Sequence, residues 1–193
     1  MSDHLLPEPD LLHDDNGAAL KHLFLGDVKL YPLPALTRFV LRARPDGFQV
    51  SAQALGIAPP DPLRVSSNKD RHILWQGPDE WLLLAQVEEI QTIRSLMSDT
   101  MADHPHSLVD ISHRNHAFLL VGAEVEYLLA SACMLDLSLN AFPVGMTTRT
   151  LFGKADITLW RKDKITFHVE FWRSFAPYVI GLLKQAALTE PSP

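Results

Sequence analysis

The sequence predicts an α+β fold built mainly from antiparallel sheet. Short apolar segments occur in pairs, turn residues separate the members of each pair, and a single amphipathic helix follows each pair. The clearest strand is ITFHVEFW at residues 165–172, where apolar and polar side chains alternate with a period of two. Strand pairs that alternate with single helices are typical of α+β domains with antiparallel sheets.

Composition and charge restrict the function before any motif is considered. The chain has 193 residues, of which 47% are hydrophobic, so it can bury the core of a folded domain. Its net charge of −6 argues against nucleic acid as the main partner, because phosphate binding needs a basic surface. The single cysteine, Cys133, excludes an internal disulfide and favours a reducing compartment.

The N-terminal residues differ from the rest of the chain. Residues 1–34 are acidic and interrupted by prolines, so we expect an N-terminal arm ahead of a single domain at 35–188. The spacing of the strand pairs allows this domain to be divided into two ββα halves. The acidic N-terminus does not resemble a signal peptide, and no apolar run reaches the roughly 20 residues needed to cross a bilayer. We therefore expect a cytoplasmic protein without a membrane partner.

The first part of the domain contains the weaker signals. Residues 35–43, ALTRFVLRA, predict a strand that ends at the turn sequence RPDG. A short helix is expected over residues 50–55, and the turn-rich stretch 58–70 is expected to be a loop.

Residues 72–76 and 80–85 predict the first strand pair. The intervening sequence GPDE suits a tight turn, because Pro fits its second position and Asp its third. Asp79 and Glu80 are also candidates for an acid–base pair. However, adjacent residues at the start of a strand point to opposite faces and cannot converge on one substrate atom. We therefore favour the turn.

The middle of the domain repeats this order of elements. A helix is expected over residues 87–102, where apolar residues recur at steps of three and four. A second strand pair is expected at 107–112 and 116–122, followed by a second helix at 123–133.

The last strand pair is expected at residues 155–161 and 165–172, joined by the turn sequence RKDK. Ser174 is expected to cap a final helix, with Pro177 tolerated in its first turn.

Four histidines and an aspartate lie close together in the sequence and suggest a metal site. They are His104, His106, Asp110, His113 and His116. Six strand residues separate the first two histidines from the last two by ~20 Å, and no Cys pair or HExxH motif accompanies them.

Other motifs of catalysis or cofactor binding are also missing from the sequence. Cys133 lies on the apolar face of its helix, and no GxSxG, P-loop or GxGxxG motif is present. We therefore expect no metal site, no catalytic residue and no cofactor bound by this chain.

An aromatic cluster near the C-terminus has two interpretations. Trp160 and Trp172 are out of phase with the apolar residues of their strands, and Arg161 and Arg173 are next to them. Such residues on the outer face of a sheet are typical of a protein interface, whereas packing against a neighbouring helix explains the same pattern. These four residues are our interface candidates. Asp156, at the start of its strand, is the one carboxylate retained as a candidate for cofactor binding, although we favour a solvated or hydrogen-bonded strand residue at this position.

Four segments in series provide a family signature. They are GPDEWLLL (77–84), SLVDISHR (107–114), LLASACMLDLSLNAFPVGMTTRTLFGKADITLWR (128–161) and FWRSFAPYV (171–179). Together they resemble the gamma subunit of heterotetrameric sarcosine oxidase across residues 35–185. The VDIS block, followed by Gly122 and a helix, also resembles the folate-dependent aminomethyltransferases of glycine cleavage. This wider resemblance implies ferredoxin-like ββα elements and an aminomethyltransferase-like folate-binding fold.

The resemblance to sarcosine oxidase implies a function. It implies that the chain is part of a complex of alpha, beta, gamma and delta subunits, and that this complex oxidatively demethylates sarcosine to glycine and transfers the one-carbon unit to tetrahydrofolate. FAD, FMN, NAD and tetrahydrofolate are implied to be held by the other subunits. The gamma subunit is implied to be a non-catalytic companion that packs mainly on alpha.

The alternative function is an independent folate-binding or aminomethyltransferase-like protein with Asp156 as its acidic residue. Aminomethyltransferases have a strand with paired aspartates after a glycine-rich turn, whereas ADITLWR contains one aspartate and follows no such turn. The sequence therefore favours the assembly subunit.

Overall fold

The computed structural model describes residues 22–188, which form two stacked antiparallel sheets with two helices on the outer face of each. In chain order, the elements are β1 (Leu23–Leu25), β2 (Val28–Pro32), β3 (Leu36–Ala43), α1 (Pro45–Ala54), β4 (Val65–Asn68), β5 (Arg71–Gly77), β6 (Glu80–Gln86), α2 (Ile90–Thr100), β7 (His106–Asp110), β8 (Asn115–Val121), α3 (Val125–Ala130), β9 (Thr147–Phe152), β10 (Ala155–Asp163), β11 (Thr166–Trp172) and α4 (Ala176–Ala187). Single turns of 3-10 helix, Val87–Glu89 and Arg173–Phe175, precede α2 and α4.

Every neighbouring pair of strands in both sheets is antiparallel. The six-stranded sheet has the order β1-β2-β8-β11-β10-β9, and the five-stranded sheet has the order β4-β5-β6-β3-β7. Each sheet contains one ββα unit, either β5–β6–α2 or β10–β11–α4. The α+β class and the antiparallel ββα elements predicted from the sequence are confirmed.

Three hydrophobic clusters hold the layers together. Outward-facing side chains of the six-stranded sheet, such as Ile157 and Phe167, pack against α3 and α4. Those of the five-stranded sheet, such as Leu83, pack against α1 and α2. A smaller cluster lies between the sheets and contains Leu74, Leu82, Leu84, Ile111 and Trp160. Since strands such as β6 and β11 are covered on both faces, they are buried almost throughout.

The hairpin β1–β2 corrects the prediction of a loosely packed arm over residues 1–34. Its strands are joined by a two-residue turn in which Gly26 has φ +62°, a backbone conformation that glycine adopts without strain. Leu25 and Leu30 are buried in the core of the six-stranded sheet, and β2 pairs with β8. The prediction missed these strands because they are only three and five residues long. Residues 1–21 of the predicted arm lie outside the described residues.

Strands β7 and β8 were predicted to pair with each other, and this prediction is wrong. β7 pairs with β3 in the five-stranded sheet, whereas β8 pairs with β2 and β11 in the six-stranded sheet. The chain crosses between the layers at residues 111–114, where the Ile111 N–H donates to the Arg38 carbonyl. Sequence periodicity identifies both strands but does not specify their partners.

The remaining differences concern short elements and helix ends. Strand β4 lies inside the predicted loop 58–70, and β9 was not predicted. Helix α1 begins at Pro45, earlier than the expected residue 50. Helix α4 has Pro177 in its first turn as predicted, but Ser174 does not cap it because a 3-10 turn intervenes. Within residues 22–188, no helix is long and apolar enough to cross a membrane.

Candidate functional site

A groove opens between the two sheets at one end of the sandwich. It lies where β6, β8 and β10 begin and where β3, β5, β9 and β11 end. Its volume is about 680 Å³. The residues that define it are Arg42, Glu80, Val109, Arg149, Asp156 and Trp172. Since both sheets contribute, the groove exists only in the folded chain.

Glu80 connects the two sheets beside the groove. Its Oε1 lies 2.9 Å from Arg149 Nη1 of the six-stranded sheet, and its Oε2 accepts a hydrogen bond of 2.9 Å from Arg42 Nε of its own sheet. The Glu80 side chain is 10% exposed, whereas Arg42 and Arg149 are 61% and 54% exposed. One buried carboxylate therefore holds two arginines at the rim. Neighbouring Asp79 lies in the turn before β6, which agrees with the turn interpretation.

A second inter-sheet ion pair lies deeper between the layers. Arg38 Nε of β3 donates to Glu170 Oε2 of β11 at 2.8 Å, and His168 Nε2 lies 2.9 Å from Glu170 Oε1. Burial by itself would raise the pKa of the Glu170 carboxyl. The charge of Arg38 and the hydrogen bonds from His168 and Arg38 outweigh burial and lower this pKa to about 2. The carboxylate is therefore ionised and has a structural partner in each sheet.

Trp160 lies between the sheets, away from the groove. Its ring centroid is 5.0 Å from that of His72 and 5.6 Å from that of His168, and Lys162 Nζ lies 4.8 Å from it. Burial, followed by the charges of Lys162 and His168, lowers the pKa of His72 to about 4. Trp160 is 7% exposed. The expectation of an exposed outer face at Trp160 is therefore wrong, because the five-stranded sheet covers this face.

Arg161 is also buried, on the opposite face of β10. Its guanidinium donates to Glu126 Oε1 at 2.7 Å and to the carbonyl of Lys164 at 3.0 Å, and it lies 4.5 Å from the centre of the Phe167 ring. The side chain is 0% exposed. Arg161 therefore ties β10 to α3 and does not contribute to an exposed face.

Trp172 and Arg173 are the interface candidates that remain on the surface. Trp172 is 45% exposed at the groove, and the guanidinium carbon of Arg114 lies 5.3 Å from its ring centroid. Phe175 packs at 6.4 Å from the same ring, and Arg173 is exposed beside it. The structure therefore separates the four candidates into a buried pair at 160–161 and an exposed pair at 172–173.

Asp156 lies at the rim of the groove and is exposed. It stands opposite Leu151 of β9, on the face of β10 that looks towards the five-stranded sheet. The two buried carboxylates next to the groove, Glu80 and Glu170, are paired with arginines. Asp156 is therefore the acidic residue of the groove that solvent reaches.

The histidines that suggested a metal site do not form one in the described part of the chain. Among residues 22–188, no group of three or more His, Cys, Asp or Glu side chains could hold a metal ion. His104 approaches Asp46 at 3.9 Å, and His106 Nδ1 contacts the carbonyl of His104. Cys133 is 4% exposed and packs in the core of the six-stranded sheet.

Sequence reasoning did not identify Arg38, Glu80 or Glu170 as inter-sheet residues. Glu170 and His168 stand on the polar side of a period-two strand, where solvent is the usual neighbour. The available signal was the composition of this face. Thr166 and Trp172 lie on it with His168 and Glu170, and a face that mixes aromatic, small and charged residues is compatible with cover by a second layer.

Comparison with known proteins identifies the family. The model of the "Sarcosine oxidase, gamma subunit family" matches residues 42–189, more than half of the chain. The chain belongs to the sarcosine oxidase gamma subunit family. Sarcosine oxidase subunit gamma of Corynebacterium sp. (strain P-1) is 28% identical over 165 residues, which cover 83% of this chain and 80% of that protein. The gamma subunit of Corynebacterium sp. (strain U-96) is 26% identical over 114 residues, covering 59% and 55%.

Solved structures agree with this membership. A chain of heterotetrameric sarcosine oxidase from Corynebacterium sp. U-96, in complex with pyrrole 2-carboxylate, superposes with a TM-score of 0.78 at 25% identity, covering 86% of this chain and 90% of that chain. The prediction of a gamma subunit of heterotetrameric sarcosine oxidase is confirmed. The alternative of an independent folate-binding protein is not favoured.

The wider fold prediction is also confirmed. Aminomethyltransferase T of the glycine cleavage system from Bartonella henselae superposes with a TM-score of 0.60 at 12% identity. The match covers 80% of this chain but 44% of that enzyme, so it shows a shared fold alone.

Proposed function

We propose that this chain is a non-catalytic subunit that stabilises a heterotetrameric sarcosine oxidase, packs mainly on the alpha subunit and shares the complex with beta and delta. The observation that supports this proposal most strongly is the superposition on a chain of the Corynebacterium enzyme over 86% of this chain and 90% of that chain. A small subunit that matches its relative over most of both chains is expected to perform the same role.

The complex would oxidatively demethylate sarcosine to glycine in the cytoplasm and transfer the one-carbon unit to tetrahydrofolate. We assign FAD, FMN, NAD and tetrahydrofolate to the other subunits. The pairing of this chain's buried charges supports that assignment, because Glu170 and Glu80 bind arginines and Arg161 binds Glu126. These groups stabilise the fold and are not available to a substrate.

The aminomethyltransferase fold raises the question of folate in this chain itself. The resemblance to the aminomethyltransferases implies that folate would lie near a carboxylate. Here the carboxylate of the groove that lacks an arginine partner, Asp156, is exposed at the rim. The exposure of Asp156 supports our proposal that tetrahydrofolate is held by another subunit, and no step is assigned to folate in this chain.

The proposed contact with alpha centres on Trp172 and Arg173. Trp172 is half exposed, stacks with Arg114 and adjoins Phe175, and Tyr178 is a further exposed aromatic residue on the next helix. Trp, Tyr and Arg are the residues that most often dominate the binding energy of protein interfaces. The buried pair Trp160 and Arg161 has no part in this contact.

The experiment is gentle purification of the tagged full chain from the cytoplasmic fraction of its native host, followed by a visible absorption spectrum and identification of the co-purifying subunits. A yellow, flavin-containing complex with two much larger chains is the expected result. A colourless protein that purifies alone at every salt concentration, and that binds tetrahydrofolate by itself, would contradict the proposal.

A further inference from the structure

The groove between the sheets is elongated. Four strands of each sheet line it, from the edge strand β7 to the edge strand β9. At the usual strand spacing, four strands span about 15 Å between the outermost axes. An extended chain rises about 3.3 Å per residue, so the groove has room for about four or five residues of extended peptide.

The charges that solvent reaches in this groove are predominantly positive. Arg42 and Arg149 are 61% and 54% exposed, and Arg114 is exposed beside Trp172. Asp156 is the exposed carboxylate among the lining residues, since Glu80 and Glu170 are buried in ion pairs. An occupant with carboxylate side chains would complement this surface.

Apolar and hydrogen-bonding groups are also left for an occupant. Val109 and Leu151 are each 50% exposed and face the groove from β7 and β9. Gln76 is 8% exposed at its floor, where Thr158 Oγ1 donates to Gln76 Oε1 at 3.1 Å. Gln76 Nε2 has no hydrogen-bond partner among the described residues. A buried amide nitrogen without an acceptor is unfavourable, and a peptide carbonyl or carboxylate oxygen would satisfy it.

We propose that this groove receives an extended acidic segment of a neighbouring large subunit. The segment's carboxylates face Arg42, Arg114 and Arg149, and its apolar side chains contact Val109 and Leu151. This inference rests on the proposed function, because it assumes that the chain works inside a complex. The groove is continuous with Trp172, so one binding surface would include both.

The test uses the full chain co-purified with its large subunits, and the variant is Arg114→Glu. Arg114 lines the groove and takes no part in the Glu80 ion pairs, so we expect the variant to fold. We expect about a tenfold or greater loss of affinity for the large subunits at low salt, with a smaller loss at high salt. Arg114→Lys should retain binding. Lys164→Glu, an equal charge change in the β10–β11 turn at the opposite end of the sheet, is the matched control.

A second measurement identifies the occupant. Val109 is replaced by a photo-crosslinking phenylalanine analogue, and the crosslinked peptide is sequenced from the irradiated complex. A crosslink to an acidic segment of a large subunit, together with the Arg114→Glu defect, supports the inference. A crosslink to a non-acidic segment, or to residues 1–21 of the same chain, overturns it.

The outcomes separate this inference from the proposed function. If the wild-type chain does not co-purify with large subunits, the proposed function fails and the inference fails with it. If the wild-type chain co-purifies and Arg114→Glu binds as tightly as Lys164→Glu, the inference alone fails.

Discussion

Arg38 and Glu170 join the two sheets through a buried ion pair in which Arg38 Nε lies 2.8 Å from Glu170 Oε2 and both side chains are at most 2% exposed. Arg38 belongs to β3, an inner strand of the five-stranded sheet, and Glu170 belongs to β11, one of the two middle strands of the six-stranded sheet. Their separation of 132 positions makes this contact a property of the assembled sandwich. It also provides the most direct test of how the layers are held together.

Loss of Arg38 alone should destabilise the chain strongly. In Arg38→Met, Glu170 keeps only His168 as a partner, and we expect the free energy of unfolding to fall by about 3–5 kcal/mol. Urea denaturation measures this change. The control is Arg94→Met, which removes the half-exposed partner of Asp110 and should cost less than about 1 kcal/mol. The double variant Arg38→Met, Glu170→Leu should recover most of the loss. Equal losses of stability in Arg38→Met and Arg94→Met would contradict the role assigned to Arg38.

Glu170 should make stability depend on acid. Its pKa is about 2 in the folded chain and returns towards its ordinary value of 4.5 on unfolding. Because the folded pKa is lower, the stabilisation is present above pH 4.5 and is lost as the pH falls towards 2. Urea denaturation at several pH values in this window should give a steep loss of stability for wild type and a shallower one for Glu170→Gln. Identical slopes would show that other carboxyl groups control acid unfolding.

Gly122 should be intolerant of any side chain. A Cβ at this position would lie 2.5 Å from the carbonyl oxygen of Asp27 and 2.9 Å from Val28 Cα, both of which are backbone atoms of the β1–β2 hairpin. We expect Gly122→Ala to lower the free energy of unfolding by about 1–3 kcal/mol, because the hairpin must move away. Thermal or urea unfolding measures it. Gly181→Ala in α4 is the control, since nothing lies within 4 Å there, and it should be neutral or stabilising. Equal effects at the two positions would argue against close packing of the hairpin.

Trp172 should contribute to assembly and not to folding. Its ring is 45% exposed, so we expect Trp172→Ala to unfold at nearly the wild-type temperature and to weaken association with the large subunits by ~1 kcal/mol or more. Titration of the subunits at limiting concentration measures the association. Phe24→Ala is the matched control, because Phe24 is 60% exposed at the far edge of the same sheet. A defect at Phe24 with none at Trp172 would place the interface on the β1 edge instead.

The elements that could be predicted from sequence are those with long, regular local patterns. The pairs β5–β6 and β10–β11 each combine an apolar run with a tight turn, and both were located to within about two residues, the usual uncertainty of element boundaries. Strands β1, β4 and β9 were missed because short or half-exposed strands on sheet edges leave a weak pattern, and β2 was missed because it is only five residues long. Family membership was also readable from sequence, since the matching segments occur in order along most of the chain.

By itself, therefore, the sequence determined the α+β class, the two main ββα units and the family. Only the tertiary structure decided that β7 and β8 belong to different sheets and that Trp160, Arg161 and Glu170 are buried. The physical reason is that a period-two strand defines two faces but does not specify what covers each of them. In this chain a second sheet covers the mixed polar face of β10 and β11. Residues whose sequence pattern resembles that of surface residues therefore form ion pairs between the layers and line the groove.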